Sequence, residues 1–90
     1  MIKILLIEDE PKTVQSLKQG LEENNYEVEV AYDGLIAKQL ATRNTYQLIV
    51  SDIIIPGING IELCKQLRQL GIQTPILMLT ALSTTDDKLI

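Results

Sequence analysis

Cysteine is nearly absent from this 90-residue sequence, in which Cys64 is the only one. A single thiol excludes an internal disulfide and any cysteine-based metal site within one chain. Cys64 falls in an apolar stripe with helical spacing, which is typical of a buried and unreactive thiol. We therefore do not expect a thiol to carry the chemistry of this protein.

The sequence also lacks the marks of three common classes of binding protein. Its 12 acids outnumber 8 bases, for a net charge of −4 without a basic stripe, so direct DNA binding is not expected. Apolar runs such as Ile53–Ile55 fall far short of the roughly 20 residues that span a bilayer. No glycine motif for nucleotide phosphates follows a strand. No charged leader precedes the first strand pattern, which favours a cytoplasmic location.

What the sequence does contain is a set of apolar runs that end in oxygen-bearing side chains. The runs are Ile2–Ile7 before Glu8-Asp9, Leu48–Val50 before Ser51-Asp52, and Ile76–Leu79 before Thr80. If the runs are parallel strands, their C-terminal ends meet at the edge where open α/β sheets bind ligands. Three carboxylates and a hydroxyl would then converge there. This set suits a hard cation and a phosphoryl group.

Short β-rich runs alternate with helical patterns, which predicts βαβ units, a parallel sheet and one α/β domain. The predicted helices are Pro11–Asn24, a second that includes 35–41, and a third from Asn59 to Gly71. The predicted strands are Ile2–Ile7, the edge strand Glu27–Ala31, the buried central strand Tyr46–Asp52, and Pro75–Thr80.

The end of the sequence predicts the start of a fourth helix. Ser83 or Thr84 followed by Asp86 or Asp87 is typical of a helix start, but Ile90 comes too soon for a stable helix. Right-handed crossovers put the first helix on one sheet face and the next two on the other. Apolar side chains of the third and fourth strands should therefore be under-covered, and the fourth strand should have an open edge. Residues 1–90 are expected to form one C-terminally incomplete domain.

Each candidate residue also has a purely structural interpretation. Glu8 and Asp9 precede Pro11, and acids at a helix start complement the helix dipole. Thr80 alone is more typical of a hydroxyl bonded to local backbone. Asp52 is different, because a carboxylate that closes an apolar strand beside two others is costly unless a cation neutralises it. The functional interpretation is therefore strongest for Asp52.

Three segments, taken together, resemble the receiver domain of response regulators in two-component signalling, in order along the whole chain. They are Ile4–Glu10, Asp52–Gly60 and Leu79–Ala81. The middle segment is the most specific, with an aspartate, three apolar residues, Pro-Gly and a later Asn-Gly. The resemblance implies a flavodoxin-like (CheY-like) doubly wound parallel sheet of order 2-1-3-4, without the family's fifth strand and fifth helix.

The resemblance also implies a role for each site residue. A sensor histidine kinase would transfer a phosphoryl group to the phosphoacceptor Asp52 with the help of Mg²⁺. The metal would be held by Glu8, Asp9, Asp52 and the backbone carbonyl of Ile54. Thr80 would hydrogen-bond the phosphoryl group in the active state, and the small Ala81 would keep the entrance open. Such a domain is a signalling module whose only catalysis would be its own phosphorylation and dephosphorylation.

The sequence departs from the family at its end. The family's phosphoryl-binding lysine lies beyond position 90, and Lys88 is predicted to be a surface charge in the starting fourth helix. Phosphorylation of these 90 residues is therefore expected to be slow or absent. The closest resemblance is to receivers attached to winged-helix DNA-binding domains. A full-length protein would then carry a DNA-binding domain and regulate transcription.

Two other functions remain open from the residues alone. The first is an interaction or homodimerisation module that works without phosphorylation, through the open strand edge and the under-covered face. The second is a phosphatase of the haloacid dehalogenase type. That class needs a second aspartate two residues after the first, at the position of Ile54, and is therefore the weaker alternative.

Overall fold

Strands and helices alternate along the described part of the chain, residues 1–79 and 87–89 of a computed structural model. The strands are β1 (Lys3–Ile7), β2 (Glu27–Ala31), β3 (Leu48–Asp52), β4 (Ile76–Leu79) and β5 (Asp87–Leu89). The helices are α1 (Pro11–Glu23), α2 (Gly34–Arg43) and α3 (Gly60–Gln69). Within these residues, no helix is long and apolar enough to cross a membrane.

The five strands form one sheet in the order β2-β1-β3-β4-β5. The first four are mutually parallel, which confirms the predicted order 2-1-3-4. The register pairs Ile7 with Ser51, and Asp52 with Leu79. The C-terminal ends of β1, β3 and β4 therefore lie level at one edge of the sheet.

The helices cover the two faces of the sheet unequally, as right-handed crossovers require. Val14 of α1 packs with Ile4, Leu6, Val28 and Val50 on one face. The larger core lies on the other face, beneath α2 and α3, and includes Leu5, Ile7, Ala37, Ala41, Ile49, Leu63, Cys64, Leu67 and Met78. The cysteine is buried there, as predicted.

Polar side chains cap α2 and α3, which begin near the C-terminal ends of the parallel strands. The N–H of Ile36 donates to Asp33 Oδ1 (2.8 Å), and the N–H of Glu62 donates to Asn59 Oδ1 (2.8 Å). Each bond satisfies a backbone donor that the first turn of a helix leaves free. These caps fix where α2 and α3 start relative to the ends of the strands.

At the opposite end of the sheet, buried and charged groups are paired. Lys3 Nζ lies 2.8 Å from Glu29 Oε1, and the Tyr46 hydroxyl donates to the same oxygen at 3.0 Å. Burial, followed by the bond to Glu29, raises the pKa of Tyr46 to about 12. The backbone N–H of Lys3 donates to Gln47 Oε1 (2.7 Å), which joins the start of β1 to the residue before β3.

Residues 87–89 correct one prediction from the sequence. They form β5, antiparallel to β4, with Lys88 opposite Met78, where the sequence predicted the start of a helix and an open β4 edge. A helix of under two turns is unstable without a partner. The edge of β4 instead offers backbone donors and acceptors that a strand can satisfy. The prediction that Lys88 lies in a helix is wrong for this reason.

On the face that carries α1, the described residues cover the apolar side chains near β3 and β4 only in part. Val50 is buried there, whereas Leu48, Leu77 and Leu79 are only partly buried. This agrees with the expectation that α1 alone cannot cover the third and fourth strands. The apolar surface of these three leucines is called the leucine face below.

Truncation of Leu67 should test how far this small domain depends on its larger core. Leu67 is fully buried, so Leu67→Ala should lower the free energy of unfolding by about 2–5 kcal/mol in urea denaturation. Leu70→Ala, in which the exposed side chain of a neighbouring leucine is removed, is the matched control. Equal losses in the two variants would contradict the assigned core.

Candidate functional site

Three carboxylates meet at the C-terminal edge of the sheet. Glu8 and Asp9 directly follow β1, and Asp52 is the last residue of β3. Because β1 and β3 are adjacent and in level register, one ligand atom from each residue lies within 4.8 Å of the others. The structure thus brings together the three acids that the sequence predicted would converge.

The three carboxylates differ in their access to solvent. Glu8 and Asp52 are buried, with 7% and 6% of their surface accessible to solvent, whereas Asp9 is exposed. The cluster therefore combines two buried carboxylates with one that is accessible to solvent.

Glu8 is held in place by local backbone groups. Its Oε2 accepts hydrogen bonds from the N–H groups of Asp9 (2.8 Å) and Glu10 (3.2 Å). Burial nevertheless raises its pKa to about 7, and the negative charge of Asp52 adds to that rise. Glu8 is thus a carboxylate whose ionised form lacks sufficient neighbouring positive charge.

Asp52 has a buried side-chain oxygen at this edge, its Oδ1, without a hydrogen-bond partner among the described residues. A buried acceptor without a partner is rare and costs about 1–3 kcal/mol. An oxygen-binding cation placed among the three acids would satisfy Oδ1 and reduce their repulsion. The residues present therefore fit a hard divalent cation.

The loop after Asp52, residues 53–59, is tied to its surroundings by backbone bonds. The N–H of Ile53 donates to Leu79 O (3.1 Å), and the N–H of Gly60 donates to Ile53 O (2.8 Å). The N–H of Gly34, at the start of α2, donates to Pro56 O (2.9 Å). Ile54 lies in this loop with its side chain 59% exposed. The residues beside Asp52 are therefore held by β4, α2 and α3.

The hydroxyl-bearing and small residues predicted near Asp52 differ in what the structure describes. Thr80 and Ala81 lie outside the described residues, so their roles stay predictions. Ser51, next to the phosphoacceptor candidate, is buried and donates its hydroxyl to the carbonyl of Asp52 (2.8 Å). Its hydroxyl therefore has a local structural role.

Sequence reasoning missed the spatial role of two glycines. Gly34 and Gly60 were interpretable only as turn residues at helix starts. The structure shows that each lies where an added Cβ would collide with backbone of the 52–58 segment. The dipeptides Asp33-Gly34 and Asn59-Gly60 indicate turns in the sequence. The close approach of each glycine to the backbone of the 52–58 segment depends on how separate elements pack.

Comparison with known proteins agrees with this geometry. The family model of the response regulator receiver domain matches residues 4–89. Response regulator ArlR of Staphylococcus saprophyticus is 46% identical over 88 residues, and the ArlR of Staphylococcus aureus strain Mu50 is 41% identical. The alignments cover 98% of this chain and 40% of those relatives. The chain thus spans less than half the length of the curated relatives it matches.

Solved structures show the same relationship. The receiver domain of Francisella response regulator 1452 superposes with a TM-score of 0.88 at 40% identity, covering 94% of this chain and 70% of that one. The crystal structure of response regulator TrrA from Thermotoga maritima in complex with Mg²⁺-BeF gives a TM-score of 0.86 at 36% identity, covering 92% and 72%. Sequence and structure agree that this chain belongs to the response regulator receiver domain family of two-component signalling.

Proposed function

We propose that Asp52 accepts a phosphoryl group from a sensor histidine kinase in a reaction assisted by Mg²⁺. The observation that carries this proposal is the buried, unpartnered Oδ1 of Asp52 beside two other carboxylates. A strand-end carboxylate in that setting is an available nucleophile. The family membership supports the same role.

The proposed metal ligands are the carboxylates of Glu8, Asp9 and Asp52 with the backbone carbonyl of Ile54. This all-oxygen set is the kind that Mg²⁺ prefers, and it leaves positions for water and a phosphoryl oxygen. When bound, the metal would supply positive charge next to the reacting oxygens. The complex of TrrA with Mg²⁺-BeF supports Mg²⁺ over other cations.

The residues of this chain would then act mainly by position. A carboxylate oxygen of Asp52 attacks phosphorus, an O–P bond forms, and the N–P bond to the donor imidazole breaks. Such transfer needs alignment and charge stabilisation more than covalent help from the protein. The exposed carboxylate of Asp9 marks the side from which the donor would approach. Thr80 would hydrogen-bond the new phosphoryl group, and Ala81 would leave room for it.

The setting of the domain is part of the same proposal. Residues 1–90 would act as the receiver part of a longer cytoplasmic regulator, joined to a DNA-binding domain that controls transcription. The coverage of only 40% of the ArlR relatives supports a longer protein. The net charge of −4 supports a role in which this part does not itself bind DNA.

We infer a second activity, self-association, from the leucine face. Partly buried Leu48, Leu77 and Leu79 offer an apolar surface that a second copy could cover. The strand edge, which the sequence also suggested for this purpose, is less suited because β5 pairs with β4. The face is therefore the better candidate for a homodimer contact.

The electrostatic cost of the site should be measurable without any phosphodonor. In the absence of divalent cations at pH 8, Asp52→Asn should raise the free energy of unfolding by on the order of 1 kcal/mol, because it removes one of three crowded charges. Added Mg²⁺ should stabilise the wild type and leave Asp52→Asn nearly unchanged. Urea denaturation with and without Mg²⁺ measures both effects.

The pH dependence follows from Glu8. In the folded chain the pKa of Glu8 is raised to about 7 from its ordinary value of 4.5. Without metal, the folded state therefore binds more protons than the unfolded state between those values, and this contribution to stability is lost as the pH rises through 7. Urea denaturation across this pH range measures the loss.

The control for the Mg²⁺ experiment is Asp33→Asn, which removes a charge outside the cluster and keeps the cap of α2. Its stabilisation by Mg²⁺ should equal that of the wild type. If Mg²⁺ stabilised Asp52→Asn as much as it stabilises the wild type, the proposed metal site would be contradicted.

Phosphorylation itself should be visible by intact-mass spectrometry after incubation with Mg²⁺ and acetyl phosphate. We expect a single phosphate adduct on the wild type and on Asp33→Asn, and none on Asp52→Asn. Accumulation should be slow, because the resemblance places the family's phosphoryl-binding lysine beyond position 90. An adduct that persists in Asp52→Asn would show that another residue is the acceptor.

Self-association should depend on protein concentration and on the leucine face. Sedimentation equilibrium should show a rising average mass for the wild type and a monomer for the double variant Leu77→Gln, Leu79→Gln. Leu70→Gln is the control, because it changes an exposed leucine elsewhere. A wild type that stays monomeric at high concentration would disprove the dimer.

A further inference from the structure

We propose that Gly34, the first residue of α2, is a positioning residue for the metal-binding loop 53–59. Through Gly34 the start of α2 would hold the loop that contains Ile54, whose carbonyl is one of the proposed ligands. This inference rests on the proposed Mg²⁺ site, and it assigns a role in that site to a helix that contributes no ligand to it.

The contact between Gly34 and the loop is entirely between backbone atoms. The N–H of Gly34 donates to Pro56 O at 2.9 Å. A Cβ built on Gly34 would overlap the carbonyl oxygen of Ile58 and would lie 2.8 Å from its nitrogen and 2.9 Å from its carbonyl carbon. Backbone atoms cannot rotate away as a flexible side chain can. Any larger residue at position 34 must therefore displace α2 or the loop.

Space, and not backbone conformation, requires glycine at this position. The glycines with positive φ are Gly57 (84°) and Gly71 (83°), and Gly34 is not among them. Gly34 is also buried, although it opens a helix whose next residue, Leu35, is exposed. An alanine at position 34 would have acceptable dihedral angles, so its cost would come from displacement of the neighbouring loop.

The other end of the loop is held in a similar way by α3. The N–H of Gly60 donates to Ile53 O at 2.8 Å, and a Cβ on Gly60 would lie 2.5 Å from Asp52 O and 3.1 Å from Ile53 Cα. The loop is thus fixed between the first residues of two helices. Ile54 lies between the two fixed points, Ile53 and Pro56, so displacement of Pro56 should be felt at the Ile54 carbonyl.

This arrangement predicts an effect on metal affinity. Mg²⁺ demands near-ideal octahedral geometry, so small shifts of one ligand weaken binding. Groups that orient metal ligands from outside typically contribute 10- to 100-fold to affinity. Gly34→Ala should therefore weaken Mg²⁺ binding by about 10-fold or more while the three carboxylates stay in place.

The experiment compares alanine at three glycines in the whole chain. Gly71→Ala is the control for a general loss of stability, because its positive φ is strained for alanine and it lies at the far end of α3. Gly20→Ala is the neutral control, since nothing lies within 4 Å of its added Cβ. Mg²⁺ affinity is measured by calorimetric titration, urea stability is measured alongside, and amide hydrogen exchange reports on residues 53–59.

We expect Gly34→Ala to weaken Mg²⁺ binding and to speed amide exchange in residues 53–59 by more than its loss of urea stability explains. In Gly71→Ala, Mg²⁺ binding should be unchanged and any faster exchange should match the loss of urea stability. Gly20→Ala should neither weaken Mg²⁺ binding nor speed exchange. Affinity and exchange in Gly34→Ala that match Gly71→Ala would overturn the proposal. If the wild type itself binds no Mg²⁺, the proposed metal site fails. The exchange comparison would then still decide whether Gly34 positions the loop.

A measurement on the wild type covers the case in which Gly34→Ala does not fold. Mg²⁺ should slow exchange of the Gly34 amide, which donates into the loop, by several-fold more than that of the Gly71 amide. Equal effects at the two amides, or none at Gly34 when Mg²⁺ binds, would overturn the inference.

Discussion

The crowding of negative charge at the end of β1 and β3 is the constraint on which the functional edge depends. Parallel pairing of these two strands forces Glu8, Asp9 and Asp52 together, and the apolar sheet beneath them removes much of the water that would screen them. The fold alone does not relieve this repulsion. Three carboxylates held this close together suit a hard cation.

The two ends of the sheet show how differently the same chain treats charge. At the N-terminal end, Glu29 is matched by Lys3 and by the hydroxyl of Tyr46. At the C-terminal end, Asp52 Oδ1 has no partner among the described residues and Glu8 holds a raised pKa. The charges at one end are therefore matched within the fold. Those at the other end are not matched among the described residues.

Much of this could be predicted from the sequence, because strand order and convergence follow from local patterns. Apolar runs and turn residues indicated the elements, and right-handed crossovers assigned the helices to faces. The acids at the ends of β1 and β3 then had to meet. The structure places α1 at Pro11–Glu23, one residue shorter than predicted. Strand β3 begins at Leu48, because Tyr46 and Gln47 serve instead in the polar cluster beside Lys3.

Features that depend on contacts between distant elements could not be predicted in this way. The pattern at residues 83–87 favoured a helix start, but pairing with β4 overrode that local preference at 87–89. The role of Gly34 was hidden because its neighbours in space, Pro56 and Ile58, are more than twenty positions away. Local turn chemistry cannot reveal such a contact.

The central position of β1 has a consequence for how the chain acquires its structure. The backbone of Lys3 is bonded to Gln47, 44 residues later, so β1 cannot be enclosed until β3 has been synthesised. Contacts between residues so far apart slow folding. During synthesis, the apolar segment Ile4–Ile7 therefore stays exposed until β3 is available. Incompletely folded chains with exposed apolar surface are prone to aggregate.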